Sequence, residues 1–67
     1  MARTTVIENV TILKKTDKAL LCEIDDQQVW IPISQLHEDS TLNGESDEGE
    51  LGDIVIPEWL AEEKDLL

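Results

Sequence analysis

The chain contains two prolines, and each closes an apolar run that carries one of its two aromatic residues. The first run is Val29-Trp30-Ile31-Pro32. The second is Ile54-Val55-Ile56-Pro57-Glu58-Trp59. Proline cannot donate to a β ladder, so each run reads as a short strand with a fixed stop. Together the two runs are expected to close one small core. Trp30 and Trp59 are its expected cornerstones, joined by Ile31, Ile56 and Leu60. A tryptophan exposed beside acidic residues would instead be a binding anchor.

The segment in front of these runs reads as a hairpin. Residues Thr4–Lys15 are rich in Thr, Val and Ile. At period two, Val6, Glu8, Val10, Ile12 and Lys14 share one face, and Ile7, Asn9, Thr11 and Leu13 share the other. Neither face is purely apolar, which implies a bulge near Glu8-Asn9. Thr16-Asp17-Lys18 is a polar turn. Ala19–Ile24 form a second strand with Leu20, Cys22 and Ile24 on one face. Asp25-Asp26 suit a tight turn, because Asp tolerates the left-handed region. Residues 28–31 are the third strand. Ser34-Gln35-Leu36 read as one helical turn capped by Ser34. Pro57 suits the first position of a helix that continues over residues 59–65. Trp59, Leu60, Leu66 and Leu67 would form its core-facing stripe. Residues 1–3 read as a frayed start.

These elements predict a mainly β, α+β fold. An antiparallel meander, a late strand and a short C-terminal helix suggest a small SH3-like or partial OB-like barrel. An open sheet packed on one helix is the competing architecture. Residues 1–67 are one domain. A chain of 67 residues buries only about 60% of its unfolded surface. A deep substrate cavity is therefore not expected. Residues 38–52, an acidic loop, are too polar to bury and longer than most connections.

The charge is lopsided. Sixteen Asp and Glu stand against five Lys and Arg, a net charge of -11. Arg3, Lys14, Lys15 and Lys18 lie in the first third, and beyond Glu23 Lys64 is the sole base. Phosphate would be repelled, which argues against direct nucleic-acid binding and for a protein partner with a basic surface. The lysines of the first hairpin read as a solvated edge that discourages strand addition. A single cysteine, Cys22, excludes an internal disulfide and sits among apolar neighbours. With Glu23 beside it, it reads as a buried hydrophobe in a reducing compartment. No membrane span or signal-peptide pattern is present in the sequence, so a cytoplasmic location is expected, in a bacterial or phage-infected cell.

Thr16-Asp17-Lys18-Ala19, Val29-Trp30-Ile31-Pro32, Ser34-Gln35 and Ile56-Pro57-Glu58-Trp59-Leu60-Ala61 with Lys64 resemble a small module of phage and bacterial proteins. Similar segments are appended to proteins of DNA metabolism such as helicases and primases. The likeness spans residues 8–67. The likeness brings no activity that carries over to this chain; action on nucleic-acid-handling machinery is the expectation. An acidic insertion at residues 45–49 departs from the module.

Clustered carboxylates are the candidate partner-binding residues: Asp25, Asp26, Glu38, Asp39, Asp47, Glu48, Glu50, Glu62 and Glu63. The acidic segment also echoes a calcium loop. With Asp39 first, Thr41 is third, Asn43 fifth, Gly44 sixth, Asp47 ninth and Glu50 twelfth. Thr41 replaces a carboxylate, Ser46 replaces the usual apolar residue, and long flanking helices are missing, so a solvated acidic loop is the expectation. His37 has no convergent metal partners and reads as an exposed loop residue. No nucleophile set is legible, and no cofactor is expected. The sequence thus points to a non-enzymatic acidic interaction module. A phage DNA mimic of the anti-CRISPR or anti-restriction type is one form of it. An accessory scaffold of a replication or helicase-type protein and a calcium-dependent binder are the alternatives.

Overall fold

The first strand, β1 (Thr4–Lys15), bonds a different neighbour with each of its halves. A computed structural model describes residues 3–67. Met1 and Ala2 of the expected frayed start lie outside them. The front half of β1 pairs with β4 (Leu51–Pro57), from Thr4↔Pro57 to Thr11↔Leu51. Its rear half pairs with β2 (Ala19–Ile24), from Thr11↔Glu23 to Lys15↔Leu20. The last strand of the meander, β3 (Gln27–Pro32), lies on β2. All pairings are antiparallel, in the order β3-β2-β1-β4. One short helix, α1 (Glu58–Glu63), completes the mainly β fold. Among the described residues no ladder joins β3 to β4, so the single sheet keeps two edges.

The bulge foreseen at Glu8-Asn9 is present. The β1–β4 register shifts between Ile7 and Val10, and Asn9 adopts φ 60°. Its N–H donates to Asp53 Oδ1 at 3.3 Å. The extra residue changes the parity of the strand, so Ile7, Val10 and Ile12 all face inward. A second shift, between Ile12 and Lys14, leaves Leu13 without a partner on β2, and Leu13 lies outside the core. Asp25 and Asp26 have φ 48° and 68°, the left-handed pair that a two-residue hairpin turn needs.

Val10, Ile12, Leu20, Cys22, Ile31, Ile54 and Ile56 form the fully buried centre. Leu60 and Ala61 of α1 close it, and Ile33, Leu36 and Leu66 pack against it. The two tryptophans do not belong to it. Trp30 is 43% exposed and Trp59 is 52% exposed. Val29 and Ile31 point inward, so the strand's alternation sends Trp30 to the outer face, in a row with Leu21 and Lys14. On α1, Leu60 and Ala61 take the inward positions, which leaves Trp59 on the solvent side. Leu67 is likewise exposed, while Leu66 is the tail residue that packs inward.

Three local expectations shift. Ser34 caps nothing: the turn is a 3₁₀ turn over Ile33–Gln35, entered from Pro32 without a side-chain cap. Pro57 stays in the ladder opposite Thr4 with ψ 143°, and the helix begins one residue later. Arg3 is tied down as well, since its carbonyl accepts the Glu58 N–H at 2.8 Å. The helix ends in a left-handed residue, Asp65 (φ 59°). There the Asp65 N–H bonds Glu62 O at 3.1 Å and the Leu66 N–H bonds Ala61 O at 2.8 Å.

The acidic segment is bound to the sheet, contrary to the reading of it as an unburied loop. His37 N–H donates to Val55 O at 2.8 Å, and the Thr41 and Leu42 N–H groups donate to Asp53 O at 3.0 and 3.2 Å. Val55 N–H donates to Ser40 Oγ at 2.8 Å, and Asp53 N–H to Thr41 Oγ1 at 2.7 Å. Short hydroxyl side chains thus supply what a further strand would have supplied, and they cover the outer edge of β4. Leu42 is buried in the core and Ser46 is buried beside it in sequence space, four residues on. Lys15 Nζ anchors the segment from the other side, donating to Ser46 O at 3.0 Å.

Candidate functional site

Among the described residues four non-glycine residues hold positive φ: Asn9, Asp25, Asp26 and Asp65. All four lie on or beside one cleft of about 240 Å³. Its floor is apolar, made by Ile7 and Ile24 with Leu66, and Val6 and Leu67 form exposed shoulders. Its rim carries Glu8, Asp25 and Asp65, with Gln27 between the strands. Each carboxylate is placed by a special backbone. Glu8 enters the β1 bulge, Asp25 opens the β2–β3 turn, and Asp65 terminates α1. Left-handed Asn and Asp are tolerated more readily than other residues, yet each still carries some strain. Such positions concentrate where a backbone must aim a side chain.

No lysine or arginine lines this cleft. Among the described residues no carboxylate is ion-paired to a lysine or arginine. The rim is therefore a locus of uncompensated negative charge above an apolar floor. An aliphatic stem with a cationic head, as in Lys or Arg, matches that chemistry.

The expected partner-binding residues fall into separate groups. Asp25 lines the cleft, and Asp26 follows it in the turn without lining the cleft. Glu62 and Glu63 are exposed on α1 beside it without lining it. Glu38 and Asp39 ride on the segment that covers β4. Asp47, Glu48 and Glu50 form the turn that leads into β4, where the Glu50 carboxylate accepts the Asp47 N–H. Glu8 and Asp65 were missed as rim residues. The bulge expected at Glu8-Asn9 was the available signal for the first; the left-handed helix end that places the second is visible only in the structure.

Of the calcium-loop side chains, Asn43 and Glu50 are engaged in bonds to local backbone N–H groups. Asp39 N–H donates to His37 Nδ1 at 3.1 Å, and Asn43 Oδ1 accepts the Glu45 N–H at 2.8 Å. Among the described residues no three His, Cys, Asp or Glu side chains converge on a metal position. Cys22 is fully buried, and burial pushes its thiol up to about 11. Glu23, invoked from sequence, points to the opposite face; desolvation is the operative cause. A thiol of that kind is a poor nucleophile. Among the described residues no helix is long and apolar enough to cross a membrane. No family model, no curated protein and no solved structure matches the chain.

Proposed function

We propose that the chain is a non-enzymatic interaction module that docks its acidic surface onto a basic partner. The observation that carries this reading is the cleft. Three carboxylates, each set by a left-handed or bulged backbone, ring an apolar floor that no lysine or arginine lines among the described residues. An Arg or Lys of the partner would lay its stem on Ile7, Ile24 and Leu66 and its head among Glu8, Asp25 and Asp65. The surrounding charge supports the reading too, since 14 carboxylates from Glu23 onward face only Lys64. That excess exceeds what solubility of a small domain requires.

The partner class is nucleic-acid-handling machinery of the cytoplasm, whose basic grooves normally take phosphate. The carboxylates would then stand in for phosphate, as in a phage inhibitor of the anti-CRISPR or anti-restriction type. Fast, salt-sensitive association follows from such complementarity. The accessory-scaffold reading draws on the exposed Trp30 and Trp59, which would give salt-resistant apolar docking instead.

The test uses affinity capture from a bacterial lysate at low and high salt, followed by titration of the captured partner. Neutralising Glu8, Asp25 and Asp65 to amides should lower its affinity by about tenfold or more, as loss of close charge pairs does. Excess duplex DNA should compete. Undiminished affinity in the triple variant, or no competition by DNA, would sink the mimic reading.

A further inference from the structure

The two edges of the sheet are treated differently by the chain. The β4 edge is covered by residues 37–42. The β3 edge is bare. The turn at Asp25-Asp26 makes Ile24 and Gln27 a hydrogen-bonded pair, so Cys22/Val29 and Leu20/Ile31 are bonded pairs too. The Ile33 N–H bond to Lys18 O at 2.8 Å continues the same alternation. It follows that the N–H and C=O groups of Gln28 and Trp30 point away from β2. Among the described residues nothing bonds them.

This edge also lacks the usual protection. Exposed edges are normally blunted by charge, by bulges or by proline along the strand. In a chain with 21 charged residues, Gln27–Pro32 contains none, and Pro32 stands only at its end. The side chain beside the free backbone groups is the exposed Trp30.

We propose that β3 pairs antiparallel with β3 of a second copy of this chain, about a twofold axis at Val29. Gln28 then lies opposite Trp30 of the other copy, and each such pair exchanges both of its free bonds. Pro32, which has no N–H to offer, falls outside these two pairs. The register is also complementary in charge. It sets the Asp25-Asp26 turn of one copy beside the Pro32 end of the other. Lys18, bonded to Ile33, lies at that end. Two strand spacings of about 4.8 Å separate them, a gap that lysine and aspartate side chains span together. The contact is small and belongs with weak, concentration-dependent associations. It does not rest on the cleft or on a basic partner.

Salt distinguishes the two. Docking on a basic partner weakens as salt rises, whereas two copies of charge -11 associate better once their mutual repulsion is screened. The experiment is sedimentation equilibrium of the full chain from micromolar to millimolar concentration, at low and high salt, with backbone amide exchange followed by NMR. The mass should rise from 7.6 kDa toward twice that value, more readily at high salt. The Gln28 and Trp30 amides should gain protection as it does. Gln28→Lys with Trp30→Lys sets like charges opposite each other and should weaken association by about tenfold or more, with an unchanged melt. A monomer at every concentration would overturn the proposal. So would a dimer whose Gln28 and Trp30 amides stay unprotected, or protection of those amides only by a strand from a different protein.

Discussion

Leu42 reaches the core over Gly52, where a side chain would stand in its way. A Cβ at position 52 would lie 3.0 Å from the Leu42 side chain and 2.6 Å from Thr41 Oγ1. Gly52 is opposite Val10 in the ladder, so the acidic segment, β4 and β1 meet at this point. Gly52→Ala would displace Leu42 or break the Thr41 bonds to Asp53. Overpacking of this kind costs about 1–3 kcal/mol. Denaturant unfolding should show that loss, together with faster exchange of the Asp53 amide. An unchanged midpoint would mean that the segment yields without cost.

Adjacent residues on α1 should differ sharply. Leu60 is buried, whereas Trp59 is 52% exposed. Leu60→Ala should cost about 2–5 kcal/mol, a large part of the stability of so small a domain. Trp59→Ala should cost about 1 kcal/mol or less, in line with a partly exposed site. Equal losses in chemical denaturation would show that the indole packs against the core after all.

The tryptophans lie outside the core that their apolar flanks suggest. Alternation in Val29-Trp30-Ile31 already required Trp30 to oppose its neighbours. The same alternation, applied to β2, placed Leu20, Cys22 and Ile24 on the buried face. Mixed polarity in β1 located the bulge, because no unbroken strand could bury Ile7 and Val10 together. The acidic segment was harder. Its average composition suggests exposure, and one leucine with two hydroxyls binds it to β4. The cleft was not legible either. Glu8, Asp25 and Asp65 are far apart in the chain, and only the β1–β2–β3 pairing and the turn of α1 assemble them.

Cys22 gives a pH signature. Burial raises its thiol from 9.0 to about 11. Between those values the unfolded chain has released the proton and the folded chain retains it. The contribution of the buried thiol is therefore intact below pH 9.0 and is lost as the pH climbs toward 11. The slope attributable to one such group is about 1.4 kcal/mol per pH unit at most. Cys22→Ala should be less stable near neutral pH, from the cavity it leaves, yet flatter over this alkaline window. Parallel slopes for the two proteins would mean that the thiol ionises freely in the folded state.

The last prediction separates the placement of the carboxylates from their number. Ser40 Oγ and Thr41 Oγ1 accept the Val55 and Asp53 N–H groups, and they hold Glu38 and Asp39 against the β4 edge. Ser40→Ala with Thr41→Val removes both acceptors and leaves every charge in place. Each N–H stripped of its acceptor costs about 1–3 kcal/mol where water cannot replace it. Ser40 is half-buried and Thr41 exposed, so the combined loss should fall at the low end of that range. Amide exchange should quicken at Asp53 and Val55 and across residues 38–48. If the acidic surface binds as a preorganised array, affinity for a captured basic partner should fall although the net charge is still -11. Undiminished affinity in the loosened variant would show that charge alone carries the binding and that the order of this segment does not contribute.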